Sequence, residues 1–193
     1  MKKLLITGFE PFGEETINPS WEAVNLLDSQ IGEYQITKLL LPVVFEKAYE
    51  KTLEKANELC PNVILCIGQA GGRNAITPEL VAINLRHASI PDNNGNKPQD
   101  QPIILGGENA YFSNIPVRKI VDAISTQQIP AKVSYSAGAY VCNDLLYCLL
   151  NNFKNSETQI GFIHLPYCTE QNKQPCMPLD DMVKGLTIAI ENI

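Results

Sequence analysis

The apolar positions of this chain fall into short unbroken runs separated by amphipathic stretches. Leu4–Leu5–Ile6, Val63–Ile64–Leu65–Cys66–Ile67 and the segment 160–165 are nearly continuous in apolar residues. Runs of that length fit strands covered on both faces of a parallel sheet. Residues 34–41 are apolar enough for another strand, which Pro42 ends, and residues 80–85 and 131–135 read as strands too. Between these runs the period changes. Residues 44–59 carry Val44, Phe45, Ala48, Leu53, Ala56 and Leu59 among Glu and Lys, the stripe of an amphipathic helix, and Pro61 stops it. Asn18-Pro19-Ser20-Trp21-Glu22 has the form of a helix start: Asn18 caps, Pro19 takes the first turn, and Glu22 adds a favourable charge. That helix should reach about residue 28. Further helices are expected over 116–124, 138–153 and 180–190. Glycine loops follow two of the strands, at 8–13 and 68–72, and residues 91–96 are dense in turn formers. Strands alternating with helices predict an α/β fold, here a single domain over 1–193. Its architecture should be a three-layer α/β/α sandwich with a mostly parallel central sheet.

Composition narrows the function. A chain of 193 residues is one domain by default. The 15 basic and 21 acidic residues give a net charge of −6 with no basic stripe, which argues against a nucleic-acid partner. Met1-Lys2-Lys3 precedes only three apolar residues before Thr7, too few for a signal peptide. No stretch approaches the ~18 apolar residues of a membrane span. A soluble, cytosolic protein with no membrane partner is expected. The six cysteines include no Cys-x-x-Cys pair, and a cytosolic chain keeps them reduced. With only His87 and His164 available, no zinc-ligand spacing fits.

In open α/β sheets, sites collect at the carboxyl ends of the strands. Three features are expected there: the loop Gly68-Gln69-Ala70-Gly71-Gly72, Cys142 just inside a helix, and His164 at a strand end. The positive end of a helix favours a thiolate, and its free N–H groups are natural oxyanion donors. Cys142 is therefore a candidate nucleophile, or else a buried core cysteine. His164 is its candidate general base, or else a satisfied core histidine; His87 is flanked by loop residues. Glu79 is a candidate third member to fix the imidazole, or else a solvated turn glutamate. The glycine loops fail the phosphate test: Glu14 stands where a P-loop needs Lys. No Gly-x-Ser-x-Gly elbow occurs either.

The motifs Thr7-Gly8-Phe9-Glu10-Pro11-Phe12-Gly13, Asn18-Pro19-Ser20-Trp21, Gly68-Gln69-Ala70-Gly71-Gly72-Arg73, Glu79-Leu80-Val81-Ala82-Ile83-Asn84, Ile90-Pro91-Asp92-Asn93, Ser136-Ala137-Gly138-Ala139-Tyr140-Val141-Cys142-Asn143 and Phe162-Ile163-His164-Leu165-Pro166 occur in order along the chain. Together they resemble the pyroglutamyl peptidase I (pyrrolidone-carboxylate peptidase) family over nearly the full length. The resemblance implies a cysteine peptidase that removes an N-terminal pyroglutamyl residue from peptides through a thioester. It implies Cys142 as nucleophile, His164 as base and Glu79 as orienting acid, with no metal and no cofactor. It also implies a lactam pocket walled by Phe9 and Phe12, lined by Tyr140 and Val141, bordered by Ile90, with Gln69 beside it. An apolar aromatic slot suits a flat neutral ring, and it disfavours an unpaired ammonium. A homotetramer is implied as well.

The chain departs from the family pattern at one place. Where the family usually has Arg before Ile-Pro-Asp-Asn, this chain has Ser89, and His87 stands where Asp is common. Losing a fixed positive charge near an oxyanion weakens catalysis. An alternative is therefore a catalytically weakened pyroglutamyl-binding homologue. Arg86, three residues earlier, is the nearest substitute, but a three-residue offset on a strand end changes its face.

Overall fold

The computed structural model describes residues 1–193. Ten strands and five helices follow one another. The first part of the chain runs β1 (Lys2–Phe9), α1 (Pro19–Leu26), β2 (Gln30–Ile31), β3 (Tyr34–Leu41), α2 (Lys47–Leu59), β4 (Val63–Gln69), β5 (Thr77–Pro78) and β6 (Val81–Ile83). The second runs β7 (Ala110–Phe112), α3 (Val117–Thr126), α4 (Val141–Phe153), β8 (Gln159–Leu165), β9 (Tyr167–Cys168), β10 (Cys176–Met177) and α5 (Leu179–Glu191). Six strands form the main sheet in the order β2-β3-β1-β4-β8-β5. The four inner strands are parallel, while β2 and β5 add antiparallel edges.

Alternation along the strands sorts the sheet into two cores. Leu4, Ile6, Val63, Leu65, Ile67, Ile163 and Leu165 face one side, under residues of α1, α3 and α5. Leu5, Ile64, Cys66, Ile160 and Phe162 face the other, under α2 and α4. Each fully buried Leu, Ile or Phe contributes about 1.5–3 kcal/mol. Burial on both faces explains the unbroken apolar runs of β4 and β8. This is the expected α/β architecture with helices on both faces of a mostly parallel sheet.

Several elements differ from expectation. The helix expected from residue 44 begins at Lys47, because Glu46 adopts φ 65°, outside helical geometry. The strand expected over 80–85 shortens to β6 and leaves the main sheet to pair with β7. The segment 131–135 forms only isolated bridges, Ile76 with Ala131 and Glu79 with Ser134. Helix α1 stops at Leu26. No helix is long and apolar enough to cross a membrane.

Candidate active site

The parallel pairing of β4 with β8 sets Gly68 beside His164. Partners in register present side chains to the same face, here the α4 side shared with Phe162. Helix α4 begins at Val141, so Cys142 lies in its first turn and hangs over the end of β4. A Cβ added to Gly68 would come within 3.0 Å of the Cys142 sulfur and 2.8 Å of the Phe162 ring. Glycine is thus required at 68 to leave room for the thiol beside the His164 strand. The His164 ring stacks at 4.7 Å on Phe162.

Strand β5 brings Glu79 against the other side of the imidazole. Thr77 pairs with His164 across the sheet edge, and the Glu79 N–H donates to the Phe162 carbonyl at 2.8 Å. The Glu79 Oε1 then lies 2.7 Å from His164 Nδ1, with Glu79 wholly buried and His164 almost so. With Nδ1–H committed to the carboxylate, Nε2 is left as the proton acceptor. Glu79 is not the solvated turn residue its sequence context allows. Arg73, from the glycine loop after β4, donates to the same Oε1 at 2.7 Å, to Thr77 Oγ1 at 2.6 Å and to the Ser136 carbonyl at 3.1 Å.

The charges follow from these contacts. Burial works to raise Glu79, but the hydrogen bonds from His164 and Arg73, with the Ser134 side chain nearby, outweigh it and hold the carboxyl low. Burial lowers His164 against the pull of Glu79, and Arg73 lowers it further. Burial pushes the Cys142 thiol up; Glu79 and Cys66 add to the rise and Arg73 opposes it. Burial thus opposes the thiolate-stabilising effect expected of the helix end. The resting pair is a neutral thiol and a neutral imidazole.

Beside the sulfur a narrow cavity of about 30 Å³ is lined by Phe9, Phe12, Asn18, Val43, Gln69, Tyr140, Val141 and Cys142. Larger clefts elsewhere are open and polar, and hold none of these groups. The walls are fixed from behind. Asn18 caps α1 by accepting from the Ser20 N–H and donates to the Glu10 carbonyl at 2.9 Å, while Ser20 Oγ accepts from the Phe9 N–H. The Tyr140 ring sits 6.4 Å from Phe12 and edge-on to Phe45 at 5.3 Å, with its hydroxyl donating to the Pro91 carbonyl. Burial pushes that phenol up to about 12, so it stays a neutral donor.

One polar group faces the cavity with a defined polarity. The Cys168 N–H donates to Gln171 Oε1, which fixes Gln171 Nε2 as the donor to Glu15 and, at 2.9 Å, to Gln69 Oε1. Gln69 is thereby oriented with its carbonyl outward, leaving its Nε2 as the donor available to the cavity.

Of the residues singled out from sequence, Phe9, Phe12, Gln69, Tyr140, Val141 and Cys142 share the cavity wall, and His164 and Glu79 form the adjoining pair. Ile90 does not line the cavity; it is 45% exposed on the loop whose Pro91 carbonyl receives Tyr140. Arg86 does not replace the missing Arg at position 89. It is bound to Asp144 at 2.5 Å and to Glu46 at 2.7 Å, on the α2 side of α4. His87 pairs with Asp100 at the surface. Asn18, Val43 and Arg73 were not singled out for the site. Arg73 carried a usable signal: it follows two glycines at the carboxyl end of a core strand, where a half-buried cation needs an anion.

A family model described as pyroglutamyl peptidase matches residues 2–193. The chain is 47% identical to a pyrrolidone-carboxylate peptidase of Brachyspira hyodysenteriae, covering 98% of this chain and 97% of that one. It is 49% identical to one of Thermosipho africanus, covering 99% and 96%. Its fold is similar to the crystal structure of Bacillus amyloliquefaciens pyroglutamyl peptidase I, with a TM-score of 0.94, 46% identity and coverage of 100% and 96%. The pyrrolidone carboxyl peptidase of Thermococcus litoralis matches with a TM-score of 0.95 at 35% identity, covering 99% and 92%.

Proposed function

The chain belongs to the pyroglutamyl peptidase family and is a cysteine hydrolase acting on N-terminal pyroglutamyl residues, and from that premise we propose how its side chains divide the reaction. The lactam ring enters the slot between Phe9, Phe12, Tyr140 and Val141. Cys142 Sγ attacks the pyroglutamyl carbonyl carbon as His164 Nε2 takes the thiol proton. Because thiol and imidazole are both neutral at rest, this transfer accompanies S–C bond formation instead of preceding it. Glu79 holds the ring and stabilises the imidazolium that forms. The N–H groups at the start of α4 and the Gln69 amide face the developing oxyanion. His164 then gives its proton to the departing amine, the C–N bond breaks, and the thioester remains. Water, deprotonated by His164, attacks the thioester and releases pyroglutamate and the thiol.

The observation that carries this reading is the buried 2.7 Å contact between His164 Nδ1 and Glu79 Oε1, directly beside the strand position over which the Cys142 sulfur sits. A buried histidine held by a buried carboxylate is costly to keep with no substrate role. A weakened binding homologue is not supported: the related proteins named above are peptidases, and Ser89 is exposed. The proposal extends to one domain over 1–193, a homotetramer, and residence in the cytosol, all supported by the family resemblance. The chemistry needs no cofactor. The test is hydrolysis of a pyroglutamyl-linked fluorogenic amide by the wild type, Cys142→Ala and His164→Gln. Turnover that is lost in both variants, with folding retained, is expected; full activity in Cys142→Ala refutes the assignment.

A further inference from the structure

We infer that Arg73 is the positioning residue of the triad, a half-buried fork that locks Glu79 and the loop carrying Cys142 into one frame.

The inference rests on the assignment of Cys142, His164 and Glu79 above, and it starts from an asymmetry in Glu79. His164 Nδ1 and Arg73 Nη1 converge on one carboxylate oxygen, Oε1, each at 2.7 Å. The other oxygen, Oε2, is buried with no hydrogen-bond partner. An ionised carboxylate half-orphaned in this way is costly unless a full charge compensates it. A neutral imidazole supplies a hydrogen bond and no charge. Arg73 supplies the charge.

The same guanidinium reaches in two other directions. Nη1 also donates to Thr77 Oγ1 at 2.6 Å, on the short strand β5 that carries Glu79 in. Nη2 donates to the Ser136 carbonyl at 3.1 Å, at the head of the Ser136–Tyr140 loop that leads into α4. One planar group thus ties the orienting acid, its strand and the approach to the nucleophile. A lysine has a single ammonium on a flexible stem and cannot reproduce that fork.

Other ionisable groups near the triad do not duplicate Arg73. From β4 comes Cys66, and from α4 Cys142 itself. Asp144 on α4 is taken up by Arg86 and the Glu46 N–H. Lys132, on the adjoining segment, is directed to Asn74 Oδ1 at 3.3 Å. Arg73 is the cation that lowers both His164 and Cys142 and helps hold Glu79 low. Its removal therefore raises all three.

The experiment is the pH dependence of kcat/KM, together with the pH dependence of Cys142 alkylation by iodoacetamide, for wild type, Arg73→Gln, Arg73→Lys and Cys142→Ala. In Arg73→Gln both the acid limb of kcat/KM and the alkylation curve move to higher pH by about one unit, and kcat/KM falls roughly 10²-fold. Arg73→Lys returns both curves towards the wild-type pH while the rate stays below wild type. Unshifted curves in Arg73→Gln overturn the inference. If Arg73→Gln does not fold, Arg73→Lys decides: a wild-type rate there overturns it, and a lowered rate with unshifted curves supports it. An active Cys142→Ala instead overturns the triad assignment, so the two failures are distinct.

Discussion

Gly68→Ala tests the geometry around the sulfur with a single methyl group. Gly68 lies within β4 and is not among the positive-φ glycines, so alanine fits its backbone without conformational strain. The added Cβ, however, meets Phe162 Cζ at 2.8 Å, Phe162 Cε1 at 2.9 Å and the Cys142 sulfur at 3.0 Å, where ordinary contacts lie at 3.4–4 Å. Phe162 is fully buried and pinned between β4 and the His164 ring, so the sulfur is the atom freer to withdraw. Overpacking costs about 1–3 kcal/mol, and the loss of unfolded-chain freedom returns about 0.4–1 kcal/mol. The net loss of stability is then about 0–2.5 kcal/mol, small enough to leave the protein folded. A displacement of several tenths of an ångström at a nucleophile should lower kcat/KM about 10- to 100-fold. Gly161→Ala is the matched control. Its Cβ would fall 2.2 Å from Ile115 Cδ1, so it strains the opposite face of the sheet, away from Cys142. The assay is urea denaturation beside hydrolysis of a pyroglutamyl amide. Gly68→Ala should lose rate out of proportion to stability, and Gly161→Ala should lose stability and keep its rate while folded. Wild-type kcat/KM in Gly68→Ala refutes the placement of the sulfur over this strand.

Other expectations follow from the same contacts. Glu79→Gln should lower kcat by roughly 10³–10⁴-fold, as amide replacement does in other triads, with little change in KM; a tenfold or smaller effect in steady-state kinetics contradicts the orienting role. His164 is held below its ordinary value of 6.5, so its folded form resists protonation while the unfolded chain takes up a proton. Its contribution is complete above that pH and is lost as pH falls from there through the folded value; urea midpoints between about pH 7 and pH 5 should decline in wild type and decline less in His164→Gln. Arg86→Ala leaves Asp144 buried without its cation and should cost about 3–5 kcal/mol in denaturant unfolding, with kcat/KM unchanged in the remaining folded protein. Gln171→Leu frees the Gln69 amide to turn and should lower kcat/KM several-fold, while leaving iodoacetamide alkylation of Cys142 at its wild-type rate; slowed alkylation would show that Gln171 acts on the thiol instead.

The layered fold was legible because burial on both faces leaves its mark as unbroken apolar runs, as in Val63–Ile67 and Ile160–Leu165. What escaped was held by tertiary contacts. Thr77–Pro78 is too short to show a period, yet it closes the sheet edge against His164 and carries in Glu79. The segment 131–135 has strand composition and bonds alongside β5, the Lys132 N–H donating to the Ile76 carbonyl and the Ser134 N–H to the Pro78 carbonyl, but it pairs only as isolated bridges. The Cys142 and His164 positions were readable from strand ends and a helix start, and the motifs pointed to Glu79. Arg73 was visible only as part of a glycine motif, because its three acceptors lie 4, 6 and 63 residues away in sequence. Ile90, singled out by its motif, does not line the cavity and is exposed on the loop whose Pro91 carbonyl accepts from the Tyr140 hydroxyl.

The most direct test of the central claim is to acid-quench the enzyme during turnover of a pyroglutamyl amide and map the modified peptide by mass spectrometry. The account predicts a pyroglutamyl thioester on Cys142, absent in Cys142→Ala and absent in His164→Gln, which lacks the base for the first attack. An acyl group on another cysteine, or turnover with Cys142 unmodified in every state, contradicts it.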